Sequence, residues 1–381
     1  MNRSKVVAFA LAVAALALAV APAAEAGPTS STTAIVALGD SFSSGEAGRW
    51  NGNSLNIFGT RDGTDRAARC TFGIFCSYDA HRVYGSSYDN GCHRADVAPI
   101  KSAPISVNEK HNLACSGARS QHIWRASQGG VSFKGEAPQA DQLLPIAQQK
   151  NVRLVLLNIT ANDLGFADHV IDCTVAWTLG FTCNAQEQAE IVAGLPAAAN
   201  GLRKAIDEVR AVMSAAGYST SQYKLIVQGY ASPIPVGANI RYPESSWDRL
   251  TVGGCPFYNV DADWAKNTAT PTIVNNMRSV ATEKGARFLD VRDALNGHEV
   301  CHRSSSLVTS SGPNPITKEW VRWVNSGCCQ GDAQESLHPN AYGERAIGKC
   351  ISLSYALASG NHTCRNTPGA DYNAMTLASI P

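Results

Sequence analysis

Five apolar residues in a row, Ala34-Ile35-Val36-Ala37-Leu38, run straight into Gly39-Asp40-Ser41. A run this short, with β-branched residues in it, reads as a buried strand, and the Gly-Asp-Ser that follows reads as the turn that ends it. A hydroxyl at that point sits on the carboxyl edge of the sheet, where open α/β folds place their reactive groups. A serine there needs a base to take its proton and donors for the oxyanion that forms when it attacks a carbonyl.

Buried-strand patterns return at 153–160, 224–228 and 287–291. Between them, helical spacing covers 139–150, about 186–216 with a break near Pro196, and about 263–284. Alternating helix and strand predicts an α/β fold with a mainly parallel sheet and helices on both faces, in one domain over 27–381. Cys92-His93-Arg94 reads as a short helix, 105–107 as extended, and 112–118 as an extended segment closing in a small-residue turn. A last helix buries Ala346, Ile347, Cys350, Ile351, Tyr355 and Leu357, with Asn340 as its N-cap.

Residues 46–91 differ. They are rich in Gly, Asn, Asp and Ser, and hold Trp50, Phe58, Phe72, Phe75, Tyr78, Tyr84 and Tyr88. A structureless loop of that length is uncommon, so a folded insertion beside the site is expected. Its aromatics are expected to pack on themselves in a satellite core rather than to form an acyl-binding lid.

Met1-Asn2-Arg3-Ser4-Lys5 and the apolar run from Val6 to Ala21, followed by Ala24-Glu25-Ala26, have the pattern of a secretory signal over residues 1–26. That pattern implies export, with no stable membrane anchor. Charged residues make up 17% of the chain and the formal net charge is +1, with no long basic block, so no nucleic-acid partner is expected. The twelve cysteines lie after the signal. An even count in an exported chain without a C-x-x-C pair points to disulfides rather than a metal site.

Three further groups are candidates for the site. Gly117 is either a turn glycine or a backbone N–H that a ligand can approach closely. Asn162 follows the strand at 153–160; taken alone it reads as a turn or cap residue, yet it offers an amide on the same edge as Ser41. His338 lies in Leu337-His338-Pro339-Asn340, on the loop entering the last helix. By contrast, His298-Glu299-Val300-Cys301-His302 matches H-E-x-x-H only formally. Gly297 before it, Arg303 and three serines after it, and the lack of a downstream third ligand on a helix mark it as coincidence.

Taken together, Leu38-Gly39-Asp40-Ser41-Phe42-Ser43-Ser44-Gly45, Ala114-Cys115-Ser116-Gly117-Ala118, Asn162-Asp163-Leu164-Gly165-Phe166 and Leu337-His338-Pro339-Asn340 resemble, in order and spacing, the four blocks of the SGNH (GDSL) hydrolases. Cys92-His93-Arg94 adds to the similarity with their secreted bacterial lipase and esterase branch. The resemblance implies a three-layer α/β/α sandwich with a flavodoxin-like central sheet, stapled by disulfides. It also implies Ser41 as nucleophile and His338 as general base. An oxyanion hole would form from the N–H groups of Ser41 and Gly117 and the amide of Asn162, with no cofactor and no metal. Two departures stand out. Thr160 occupies the position of the family's usual glycine, and Glu335 stands where an aspartate usually orients the histidine. Glu335 as a triad acid and the Ser336 carbonyl in a Ser-His dyad both stay open, the dyad slightly preferred, with Asp332 a third candidate.

The resemblance further implies the bridges Cys92–Cys115, Cys173–Cys183 and Cys255–Cys301, while local spacing favours Cys350–Cys364. Cys70 and Cys76 are expected to bridge to Cys328 and Cys329, fastening the insertion to the loop before His338. The function that follows is a secreted, monomeric serine esterase or lipase acting on lipid or short-to-medium acyl esters. The alternatives are a polysaccharide acyl esterase and a non-catalytic binding protein on the same fold.

Overall fold

A computed structural model describes residues 30–72, 75–325 and 329–381. The expected signal segment and Cys328 lie outside the described residues.

Among the described residues nine strands form: β1 (Thr33–Gly39), β2 (Ala68–Thr71), β3 (Phe75–Tyr78), β4 (Glu109–Asn112), β5 (Asn151–Asn158), β6 (Lys224–Gln228), β7 (Arg287–Asp290), β8 (Asn361–Arg365) and β9 (Thr376–Ile380). The central sheet has seven strands in the order β4-β1-β5-β6-β7-β8-β9. All neighbours are parallel except the last pair. The first five have the flavodoxin-like connectivity, in which the winding reverses between β4 and β5 with β1 at the switch.

Alternate residues of the strands feed two apolar layers. Val36, Leu38, Val155, Leu157 and Phe288 pack with α1 (Gln139–Gln149), α3 (Asn184–Ala215) and α4 (Thr270–Glu283). Ile35, Ala37, Leu154, Leu156 and Leu289 pack with α5 (Ala341–Ala356) and the short helix Pro99–Ser102. Between α1 and α3 comes α2 (Phe166–Leu179), which borders the site. The sandwich is therefore three-layered, helices on both faces of a mainly parallel sheet.

Several local expectations need correction. Pro196 does not break its helix: α3 runs through it. Pro196 and Val192, whose carbonyl loses its partner, both lie on the exposed side, where water can take up the freed group. Cys92-His93-Arg94 is not helical, because His93 holds a left-handed backbone at φ +48°. The edge strand forms at Glu109–Asn112, between the two extended segments read from the sequence.

The insertion divides its aromatics. Trp50 and Tyr84 are buried, whereas Phe72 and Phe75, flanking the tip of the β2–β3 hairpin, are 90% and 71% exposed. That hairpin is closed by Cys70–Cys76, which overturns the expected cross-link to Cys328 and Cys329. Antiparallel pairing puts the two cysteines directly opposite each other, so the local partner wins. Between described cysteines the further bridges Cys92–Cys115, Cys173–Cys183, Cys255–Cys301 and Cys350–Cys364 form.

Candidate active site

Three of the four site blocks ride on the carboxyl ends of strands at the switch point, and the fourth, with His338, lies on the loop entering α5. Ser41 follows β1, Gly117 follows β4, and Asn162 follows β5, so three segments remote in sequence meet at one edge. Gly39 makes the turn after β1. Its φ is +153°, and a Cβ there would lie 2.2 Å from the Asn158 carbonyl oxygen, so no side chain fits. Both its N–H and its carbonyl are bonded by the Gln139 amide, at 2.7 and 2.8 Å. Asp40 then caps the short helix Ser41–Ser44 by accepting from the Phe42 N–H. Its other oxygen accepts from the Tyr230 hydroxyl, and burial pushes the carboxyl up to about 7.

The Ser41 hydroxyl lies 2.7 Å from His338 Nε2, and His338 Nδ1 lies 2.9 Å from the Ser336 carbonyl oxygen. A carbonyl can only accept, so Nδ1 carries the proton and Nε2 offers its lone pair to the serine. Burial holds the imidazole below its ordinary 6.5, against the opposing charge of Glu46 and the Ser336 bond. The ring rests against Phe42 at 4.9 Å and Phe166 at 5.7 Å between centroids.

Glu335 does not reach the histidine. Its carboxyl accepts from Trp50 Nε1 at 2.7 Å, from the Tyr84 hydroxyl at 2.6 Å and from the Asp332 N–H at 3.1 Å. Its extra methylene, relative to aspartate, lets it turn into the insertion, where these donors compensate burial of the group. Asp332 is likewise occupied, accepting from the Glu335 N–H in a capping box. The structure thus corrects the triad reading with Glu335: the group on Nδ1 is a backbone carbonyl.

Gly117 and Asn162 line the same groove as Ser41 and His338. Among the described residues, none accepts from the backbone N–H of Ser41 or Gly117. Gly117 has φ +84°, and a Cβ there would touch Phe133 at 3.5 Å. Asn162 gives one amide hydrogen to the Ala118 carbonyl at 2.9 Å, which aims the side chain across the groove. Asp163 fastens the two loops together by accepting from the Ser120 N–H and hydroxyl, the latter at 2.8 Å. Thr160, in the glycine position, adopts φ +128°, and its buried Oγ1 has no partner.

Sequence reasoning missed the partners of these groups: Gln139 on Gly39, Tyr230 on Asp40, Ser120 on Asp163, and the pair formed by Glu46 and His93. Only the short spacing between Asp40 and Ser41 hinted that the aspartate was a cap. The H-E-x-x-H residues hold no common site. His298 stacks on Trp320 at 4.0 Å and Glu299 pairs with Lys266 at 2.9 Å.

A serine hydroxyl bonded to a carbonyl-oriented histidine, beside unpaired backbone N–H groups at a sheet switch point, defines a hydrolase site of the nucleophilic serine class. More particularly, the chain belongs to the GDSL-like lipase/acylhydrolase family, whose model matches residues 83–346. No curated protein sequence matches the chain. Among solved structures, it is similar to an extracellular lipase from Streptomyces rimosus, with 21% identity over 86% of this chain and 100% of that one, at a TM-score of 0.44. A phospholipase A1 from Streptomyces albidoflavus gives 20% identity over 84% and 98%, at 0.45. A carbohydrate acetylesterase from Sinorhizobium meliloti gives 11% over 85% and 99%, at 0.37. The family assignment rests on the family model. No described helix is long and apolar enough to cross a membrane.

Proposed function

We propose that the chain is a secreted, single-domain carboxylic ester hydrolase working through an acyl-enzyme on Ser41, as a monomer. The observation that carries this reading is the 2.7 Å contact from Ser41 Oγ to His338 Nε2, with Nδ1 held on the Ser336 carbonyl. In the first half-reaction Ser41 Oγ attacks the ester carbonyl and gives its proton to Nε2. The N–H groups of Ser41 and Gly117 and the Asn162 amide receive the oxyanion. The protonated histidine then passes that proton to the leaving alcohol. In the second half, water loses a proton to Nε2 as it attacks the acyl-enzyme, and the acid departs with the serine restored. A dyad suffices because the imidazolium is stabilised by the carbonyl that already fixes its tautomer.

The five disulfides among the described residues support an oxidising compartment outside the cell. Hydrolysis of p-nitrophenyl esters from acetyl to palmitoyl, by the oxidised protein and by Ser41→Ala, tests the reading. Activity in the first and silence in the second are expected. Silence of both toward these and toward acetylated polysaccharide would sink it.

A further inference from the structure

The Gly117 N–H belongs to the same peptide unit as the Ser116 carbonyl. In a trans peptide the two point in opposite directions, so whatever holds the oxygen also aims the hydrogen. Ala118 gives its N–H to the Cys115 carbonyl at 3.0 Å and Gly117 has φ +84°, so residues 115–118 form a type II turn with Gly117 in its third place. Flipping the central peptide of such a turn converts it to type I and sends the N–H to the other side. A glycine permits both states, so something else must choose.

The choice falls to Lys134, at the edge of the groove. Its Nζ donates to the Ser116 oxygen at 2.8 Å and to the Gly91 oxygen at 2.5 Å, and among the described residues it bonds no carboxylate. Burial lowers its pKa against the charge of Glu46, which is itself engaged by His93 at 2.8 Å. The positive charge is therefore left to the two carbonyls.

Lys134 also stands where a lysine is out of place. With Gly135 it makes the tight turn between Phe133 and Glu136, whose N–H and carbonyl groups bond each other both ways, and its φ is +50° beside +79° for the glycine. Asn, Asp and Gly are the residues at ease in such a pair. Arg94 clamps the turn to the chain leaving β4, since it holds the Glu136 carboxyl at 2.8 Å and, through Nε, the Ala114 carbonyl at 2.7 Å. The ammonium is thus carried on a fixed support to the one oxygen that aims the Gly117 N–H.

We propose that Lys134 is a positioning residue for the oxyanion hole, holding the Ser116–Gly117 peptide with its N–H toward the groove. The proposal rests on the hydrolase reading of that groove. A cation on the oxygen of an amide also strengthens its N–H as a donor, because the two bonds polarise one another. The gain appears only once charge has developed on the substrate oxygen, so it belongs in kcat and not in KM.

The test uses the p-nitrophenyl ester that the wild type cleaves fastest and an aliphatic trifluoromethyl ketone, with the wild type, Ser41→Ala, Lys134→Met and Lys134→Arg. Addition of Ser41 Oγ to the ketone carbon, with its proton passing to His338 Nε2, leaves an O⁻ in the hole. Lys134→Met should lower kcat by about 10- to 10³-fold, the upper end being outright loss of one donor, with KM within about twofold. It should weaken inhibition by the ketone in proportion. Lys134→Arg, which keeps the charge and the donors, should return both to within about threefold of wild type. Should Lys134→Met not fold, Lys134→Gln carries the same comparison. An unchanged kcat in the uncharged variant, a loss that falls in KM, or an arginine no better than the uncharged residue overturns the proposal and leaves the hydrolase reading intact. A wild type as silent as Ser41→Ala on every ester sinks the hydrolase reading, and the proposal with it.

Discussion

Trp50 donates its indole N–H to the carboxyl of Glu335 across 2.7 Å, joining residues 285 positions apart in the chain. The bond decides what Glu335 is for. Held by Trp50 and Tyr84, it anchors the turn Ala333–Glu335, and Ser336 follows directly with the carbonyl that orients His338. Arg322 strengthens the same wall: its buried guanidinium lies 3.8 Å over the Trp50 ring and bonds the Gln330 carbonyl at 2.6 Å. The insertion is therefore the foundation of the histidine loop, and Glu335 acts on the base through the backbone.

If that is so, Glu335→Gln should retain kcat within about threefold, whereas amidating the acid of a working triad costs about 10⁴. The hydrogen count explains the tolerance. Tyr84 has one hydroxyl proton but faces two acceptors, the Glu46 carbonyl and Glu335. A protonated Glu335, or the amide of glutamine, donates to the phenol and leaves its proton for Glu46. Steady-state kinetics of the variant check this; a fall of 10³ or more would return Glu335 to the triad.

Stability should change with pH through the same group. Burial pushes the Glu335 carboxyl from 4.5 up to about 7. The folded state keeps a proton that the unfolded chain releases, so this contribution is full below 4.5 and is lost as pH rises through about 7. Asp40, raised to about 7, acts in the same direction. Melting temperature should fall from pH 5 to pH 8, and Glu335→Gln should flatten that slope while leaving the part due to Asp40. Thermal scans across the range test it, and an unchanged slope in the variant would contradict the assignment.

The base itself sets the acid limb of activity. Because burial holds His338 below its ordinary 6.5, the acid limb of kcat/KM should lie on the acid side of that value. A pH–rate profile with a limb at or above 6.5 would contradict it.

Removing the amide of Asn162 should be felt in the transition state. Asn162→Ala is expected to lower kcat by about 10²–10³ with little change in KM, the usual loss for one oxyanion donor. Equal changes in KM and kcat would mean that Asn162 serves ground-state binding.

Thr160 holds a β-branched residue at φ +128° with a buried, unpartnered hydroxyl. Thr160→Gly should remove both penalties and stabilise the fold by about 1–3 kcal/mol, with activity retained. Denaturant unfolding measures it, and a loss of stability would show that the threonine methyl packs better than its backbone suffers.

Much of this was legible in the sequence where chemistry and period coincide. The apolar run ending at Gly39-Asp40-Ser41 marked both a strand and a site, and His338 beside the Asn340 cap was placed by the helix it precedes. What escaped was set by contacts between distant segments. Nothing near Glu335 reveals that Trp50 and Tyr84 will claim its carboxyl, and nothing in the stretch around Phe166 reveals that α2 will border the site. The short closing strands β8 and β9 were also missed, since His362 and Thr363 interrupt any apolar run and are buried only by neighbours.

The disulfides of the described residues share a plain order. The first cysteine of each of these five bridges joins the next one of the set along the chain, with separations of 6, 23, 10, 46 and 14, and none of the five crosses another. A polypeptide emerging amino end first can thus close each bridge once its second cysteine appears, before the following pair has been threaded out. For these five bridges scrambled pairings have little time to arise, so closing them asks for an oxidant but little reshuffling.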